Sequence, residues 1–239
     1  MAVLGSLRGQ VLRLWFAAEF GRFISQQPRP DLTRPTIIDG TRPLRVLITG
    51  AGLGVSYGTR TAEDALAGQL ASTLHATLRR GVQVETQVEI ARPLRNTVRH
   101  LTKQPALPYD LIVHTPAFGE VHRGHTIGWS RRLRALIDVV RLNGSGTSLV
   151  LTGLPAPRVK RPIERIAFER ATHVNHVMQR AASAAPLTAF AAAPTYPTPS
   201  TYRIFDADYY RQLAASIATA AAPLLAPSSE SSSSNPSTF

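Results

Sequence analysis

The stretch from Arg45 to Gly58 decides the class of fold, and it reads Arg-Val-Leu-Ile-Thr-Gly-Ala-Gly-Leu-Gly-Val-Ser-Tyr-Gly. A short apolar run that ends in glycine is typical of a buried strand followed by a tight turn. The Thr61 hydroxyl, three residues before Asp64, then predicts the start of a helix. A strand, a glycine turn and a helix in this order form the first unit of an alternating α/β domain.

Strand-like and helical runs continue to alternate beyond this unit. The further predicted strands are 82–88, 111–113, 148–152 and 187–192. The further predicted helices are 130–142, 163–184 and 208–225. This alternation predicts a three-layer α/β/α domain with a five-stranded, mainly parallel sheet. Ligands of such sheets bind beyond the carboxyl ends of the strands, so we expect a site in the loops at 50–58, 91–96, 114–128, 153–162 and 193–206.

The two ends of the chain differ from this domain, which we place at residues 44–225. Residues 26–43 contain four prolines and predict an extended linker. Residues 226–239 are rich in serine and predict a disordered tail. We therefore expect one folded domain between two irregular segments.

Residues 1–25 are apolar at helical spacing and predict an amphipathic N-terminal helix. Four charged side chains make the run too polar for a signal-peptide core or a membrane span: Arg8, Arg13, Glu19 and Arg22. One interpretation packs this helix on the domain or on a protein partner. The other places it at an anionic membrane surface with its arginines among the headgroups.

Composition excludes several classes of protein. The chain has 239 residues and no cysteine, which rules out a disulfide scaffold, a thiol nucleophile and a cysteine metal site. Its net charge is +12, and all basic residues except Lys103 and Lys160 are arginines. Because the arginines are scattered, we interpret them as coding composition rather than a nucleic-acid surface. We predict a cytoplasmic location. Peripheral contact with a membrane is the alternative interpretation.

The glycines after the first strand have one interpretation as a dinucleotide-binding turn. Thr49-Gly50-x-x-x-Gly54 resembles the opening of the short-chain dehydrogenases, whose glycines let backbone amides approach phosphate. Ser56 stands where the pattern requires another glycine, and neither lysine follows a tyrosine at the spacing Tyr-x-x-x-Lys. An NAD(P)-binding protein of this kind is therefore our second alternative.

A broader resemblance covers residues 45 to about 223 and concerns the SGNH (GDSL-type) hydrolases. Three phrases of the chain resemble blocks of that family in the right order: 63–71 at a helix start, 129–137 at a tryptophan-bearing helix start, and Leu-Thr-Gly-Leu-Pro at 151–155. The resemblance implies a sheet with flavodoxin-like strand order. It also implies a serine nucleophile, a histidine base, an orienting aspartate and an oxyanion hole.

The residues at those functional positions depart from the family pattern. Gly50, Ala51 and Gly52 stand for Gly-Asp-Ser, so glycine replaces the nucleophile. The glycine of the second block falls near Arg92, which precedes a proline. In the third block, Gly119 and Glu120 replace asparagine and aspartate. In the last block Asp206 is retained, and Tyr209 takes the position of the histidine.

We therefore expect a catalytically degenerate member rather than an enzyme. It would bind an acyl or other lipid-like ligand, or a protein partner, without cleaving it. The first alternative is an active esterase whose nucleophile has moved to Ser56. Histidine pairs at 122/125 and 173/176, with His114 and Glu120 nearby, have metal-ligand spacing, but we predict neither a metal nor another cofactor.

Overall fold

The computed structural model describes residues 26–104, 106–119, 126–144, 146–155, 162–195 and 205–226. The expectations for the N-terminal helix at 1–25 and for the tail from residue 227 onward lie outside these ranges.

A six-stranded sheet forms the centre of the domain. Its strands are β1 (Thr36–Ile38), β2 (Leu44–Gly50), β3 (Val82–Val88), β4 (Leu111–Thr115), β5 (Ser148–Thr152) and β6 (Thr188–Ala191). They lie in the order β1-β3-β2-β4-β5-β6, and every neighbouring pair is parallel except β1 with β3. The five parallel strands thus follow the flavodoxin-like order, as expected.

The sixth strand, β1, corrects the expected strand count of five. It lies in the proline-rich segment that the sequence predicts as a linker, and Ile37 pairs antiparallel with Gln83. Thr86 Oγ1 also donates a hydrogen bond to the Leu32 carbonyl at 2.8 Å. The β-branched Thr-Ile-Ile run favours an extended strand, while the nearby prolines restrict it to an edge of the sheet.

Five helices of the described residues cover the sheet: α1 (Leu66–Leu78), α2 (Leu94–Thr102), α3 (Thr126–Asn143), α4 (Pro162–Ser183) and α5 (Ala207–Leu225). Helix α1 packs against α5, whereas α2 packs against α3 and α3 against α4. This division into two groups gives the expected layers on either side of the sheet. Helix α2 was not expected, because its exposed surface is polar and only a narrow apolar face points inward.

The central strands hold the core. Val46, Leu47 and Ile48 are fully buried, as are all five residues of β4 and of β5. Burial on both faces is characteristic of a parallel sheet between two helical layers. The carboxyl ends of β2 and β4 therefore form a rigid base for the turns that follow them.

Candidate functional site

The turn after β2 is fixed to the carboxyl end of β4 by hydrogen bonds. The Ala51 N–H donates to the Thr115 carbonyl at 2.9 Å, and Thr115 Oγ1 donates to the Ala51 carbonyl at 2.7 Å. Gly50 precedes this pair with a φ of 111°. The end of β4 therefore holds the three residues at 50–52 in place.

Gly52 is closely packed at the position where the resemblance places the nucleophile. Its φ of 56° lies in the left-handed region, which favours glycine. A Cβ atom built on Gly52 would lie 2.4 Å from the Pro116 carbonyl oxygen and 3.7 Å from Cε2 of Phe118. The local backbone therefore leaves no room for a side chain at this position.

Ser56, the alternative nucleophile, is fully buried and has a structural contact. Its Oγ accepts a hydrogen bond from the Leu66 N–H at 3.0 Å, at the first residue of α1. A second, long hydrogen bond runs from Oγ to the Gly54 carbonyl at 3.5 Å. The relocated-nucleophile hypothesis would therefore require this buried hydroxyl to leave the Leu66 N–H and become accessible.

Four aromatic side chains pack beside the turn, and we call Phe118, Phe205, Tyr209 and Tyr210 the aromatic cluster. The rings of Phe118 and Phe205 stack with their centroids 5.9 Å apart. Phe205 meets Tyr209 edge to face at 5.0 Å. All four side chains are buried. The cluster brings the segment after β4 together with the start of α5, which are the third and last blocks of the family resemblance.

Asp206 and Tyr209 have structural roles at the start of α5. Asp206 is the N-cap residue, because its Oδ1 accepts a hydrogen bond from the Tyr209 N–H at 2.9 Å. The Tyr209 hydroxyl donates to the Pro194 carbonyl at 3.2 Å, and the Tyr210 hydroxyl donates to the Tyr57 carbonyl at 3.1 Å. Both tyrosines thus fix the start of the last helix to neighbouring loops.

Two of the remaining predicted positions, Gly119 and Arg92, lie in different parts of the structure. Gly119 is half-buried beside Phe118, with nothing within 4 Å of an added Cβ, and Glu120 lies outside the described residues. Arg92 follows β3, where it pairs with Glu89 and its Nη1 donates to the Gln87 carbonyl at 3.3 Å. It thus lies beside α2 and lines a groove together with residues of that helix.

The imidazole of His114 is buried in β4. From the sequence, His114 was considered only as a neighbour of a histidine pair. It is 1% exposed, and neither ring nitrogen makes a hydrogen bond of ordinary geometry. Burial lowers the pKa of His114 to about 4, an effect that the nearby Thr49 carbonyl only partly offsets. A Cβ on Gly50 would lie 3.0 Å from this ring, so a neutral imidazole packs directly against the turn.

The described residues hold no group of three or more side chains suited to a metal ion. His173 and His176 lie on α4 and are exposed. The pair at 122 and 125 lies outside the described ranges. Among the helices that the structure describes, none has the length and apolarity needed to cross a bilayer.

The strand order also bears on the dinucleotide alternative. Dinucleotide-binding domains of the Rossmann type place their third strand beside the second and the first in the middle of the sheet, in the order 3-2-1-4-5-6. Here β3 lies next to β2, and among the described residues the strand beyond it is β1, which is antiparallel. The glycine turn therefore belongs to a different topology from the one that its sequence pattern suggested.

Comparison with known proteins bears on the fold alone. No protein-family model and no curated protein sequence matches the chain. Among solved structures, it is similar to the lipase Lip_vut3 from a goat rumen metagenome, with a TM-score of 0.59, 14% identity, and coverage of 74% of this chain and 97% of that chain.

Two further similar structures belong to the same structural class. One is a catalytic mutant of Axe2, an acetylxylan esterase from Geobacillus stearothermophilus, with a TM-score of 0.54, 12% identity, and coverage of 77% and 95% of the two chains. The other is a member of the lipolytic G-D-S-L family from Veillonella parvula, with a TM-score of 0.51, 9% identity, and coverage of 72% and 95%. Together with the strand order, these similarities show that the chain has the fold of the SGNH hydrolases.

Proposed function

We propose that this protein is a non-hydrolytic member of the SGNH fold that binds a ligand instead of cleaving it. The observation that carries the proposal is the packing of Gly52, where the Pro116 carbonyl oxygen lies 2.4 Å from the place of a Cβ. Both the attacking hydroxyl and the space for it are missing at the nucleophile position. Without a nucleophile no acyl-enzyme can form, so the chemistry of the family stops at binding.

The ligand that we propose is an acyl or other lipid-like group held near the aromatic cluster. The side chains beside the turn are apolar or have committed hydroxyl groups, as in the hydrogen bond from Tyr209 to the Pro194 carbonyl. Because all four side chains of the cluster are buried, a ligand reaches them only when the cluster opens. The apolar contacts then exposed favour an uncharged chain, since each buried methylene contributes about 0.8 kcal/mol. A protein partner bound through residues 1–25 is the second form of this proposal. In either form the protein acts in the cytoplasm, with contact at a membrane surface.

A labelling experiment tests the loss of hydrolysis. We expect the purified full-length protein to show no covalent labelling by a fluorophosphonate probe and no turnover of p-nitrophenyl acetate or octanoate. The variant Gly52→Ser should remain unlabelled, because the backbone at this position is incompatible with a side chain. Stoichiometric labelling of the unmodified protein, lost in Ser56→Ala, would overturn the proposal and revive the relocated nucleophile.

Binding is tested separately with a fluorescent fatty acid, cis-parinaric acid. We expect saturable binding that Phe118→Ala weakens, because this substitution removes one half of the stacked pair with Phe205. The matched control is Phe168→Ala on α4, whose side chain is 38% exposed and lies outside the aromatic cluster. Equal affinity in all three proteins would refute the aromatic cluster as the acyl contact.

A further inference from the structure

A solvent-facing groove of about 190 Å³ lies between the end of β3 and helix α2. It is lined by six polar side chains: Glu89, Arg92, Asn96, Arg99, His100 and Lys103. Three of these carry a permanent positive charge and one carries a negative charge. We call this feature the basic groove.

Helix geometry explains how the basic groove forms from dispersed residues. Leu94, Thr97 and Leu101 are buried against the domain, which directs the intervening positions of α2 outward. Asn96, Arg99 and Lys103 follow at three- and four-residue spacing, so they lie on one face of the helix. Arg92 joins this face from the loop before α2.

The charges within the basic groove are only partly compensated. Glu89 is engaged by Arg92, whose guanidinium holds the pKa of the Glu89 carboxyl below its ordinary value. Within the described ranges no acidic side chain pairs with Arg99 or Lys103. Two like charges four residues apart on a helix repel each other, which disfavours this arrangement unless an anion lies between them.

The wall opposite α2 is ordered by polar contacts. Nε2 of His100 lies 2.8 Å from Oε1 of Gln87, a residue of β3. The same strand residue accepts the hydrogen bond from Arg92 through its backbone carbonyl. Gln87 therefore positions both His100 and Arg92, so part of the groove is preformed before any ligand binds.

We propose that the basic groove binds a phosphate group, as found in a soluble phosphate ester or in an anionic lipid headgroup. The two uncompensated cations match the charge of a phosphate dianion, whose terminal oxygens can accept hydrogen bonds from a guanidinium, an ammonium and the Asn96 amide together. The groove adjoins the turn, because the Glu89 N–H donates to the Gly50 carbonyl at 3.1 Å, but none of residues 50–52 lines it. Phosphate binding can therefore be tested apart from the loss of hydrolysis.

Titration of the full-length protein with inorganic phosphate and pyrophosphate tests the site. We expect saturable stabilisation against heat and shifts of the α2 amide resonances. The double variant Arg99→Gln/Lys103→Gln should bind about tenfold more weakly or worse, which corresponds to about 1.4 kcal/mol. The control Arg165→Gln/Arg180→Gln removes the same charge from the exposed side of α4 and should bind as the unmodified protein does. Absence of saturable binding, or equal weakening in both double variants, would overturn the proposal.

A second arm separates the two sources of phosphate. Flotation is measured with vesicles of phosphatidylglycerol and phosphatidylcholine, against vesicles of phosphatidylcholine alone. If the Arg99/Lys103 variant floats less than the control variant on the anionic vesicles only, the groove binds lipid headgroups. If the two variants float equally while phosphate binding still depends on Arg99 and Lys103, the groove binds a soluble phosphate ester.

Discussion

Replacing Gly52 with alanine tests whether the nucleophile position still has room for a side chain. The φ of 56° costs a residue with a Cβ about 1–2 kcal/mol. The new Cβ would lie 2.4 Å from the Pro116 carbonyl oxygen, whereas ordinary contacts begin at 3.4 Å. The turn must therefore open by about an ångström, and such overpacking costs about 1–3 kcal/mol. Together these effects predict a loss of about 2–5 kcal/mol of unfolding free energy.

Two further glycines separate the contributions to this loss. Gly146 has a φ of 77° with nothing near an added Cβ, so Gly146→Ala carries the backbone cost alone. Gly119 has open space and no positive φ, so Gly119→Ala should change stability by about 0.5 kcal/mol or less. Urea unfolding measures all three variants, and thermal unfolding should place Gly52→Ala about 5–20 °C below the unmodified protein. If Gly52→Ala loses no more stability than Gly146→Ala, then the turn has room for a side chain and the steric reasoning fails.

Three other substitutions probe the same region. Ser56→Ala should lower unfolding free energy by about 1–3 kcal/mol, because the buried Leu66 N–H loses its acceptor; an unchanged urea midpoint would contradict this role. Asp206→Ala should cost about 0.5–2 kcal/mol by removing the N-cap of α5, while Asp206→Asn should restore stability to within a few tenths in the same assay. The lowered pKa of His114, about 4 against 6.5 for the ordinary group, means that the unfolded chain takes up a proton between these pH values while the folded chain does not. Stability should therefore fall by up to about 3 kcal/mol as pH drops from about 6.5 to about 4, and His114→Leu should remove that part of the dependence in urea titrations at several pH values.

Much of the fold could be predicted from the sequence because the central strands carry their own signal. The strands 82–88 and 148–152 have the predicted bounds, and the helices α4 and α5 begin and end within one residue of the prediction. These elements are buried on a face or on both faces, so their apolar period is strong. At α1 the prediction was early: Thr61 Oγ1 does accept from the Asp64 N–H at 3.2 Å, but this contact closes a turn and the helix begins at Leu66.

The parts that the sequence missed are those whose stability comes from tertiary contacts. Strand β1 has three residues, and only its pairing with β3 makes it a strand. Most residues of helix α2 are polar, and few of them are buried. Because helix α2 was not predicted, the residues of the basic groove were not expected to lie together. Arg99 follows Arg92 by seven positions and Lys103 follows Arg99 by four, so a search for a continuous basic block does not find them.

The glycine-rich turn illustrates why a motif alone could not distinguish among the functions considered. In a dinucleotide-binding turn, glycines leave space that a phosphate fills. Here the corresponding space is filled by the protein itself: a Cβ on Gly50 would meet the Thr115 carbonyl oxygen, and a Cβ on Gly54 would meet Thr115 Oγ1. Close packing against Thr115 therefore explains glycine at both positions without a ligand. The next residue, Pro116, packs in the same way against Gly52 and excludes a serine there. The end of β4 therefore fills the space at both the cofactor pattern and the nucleophile pattern.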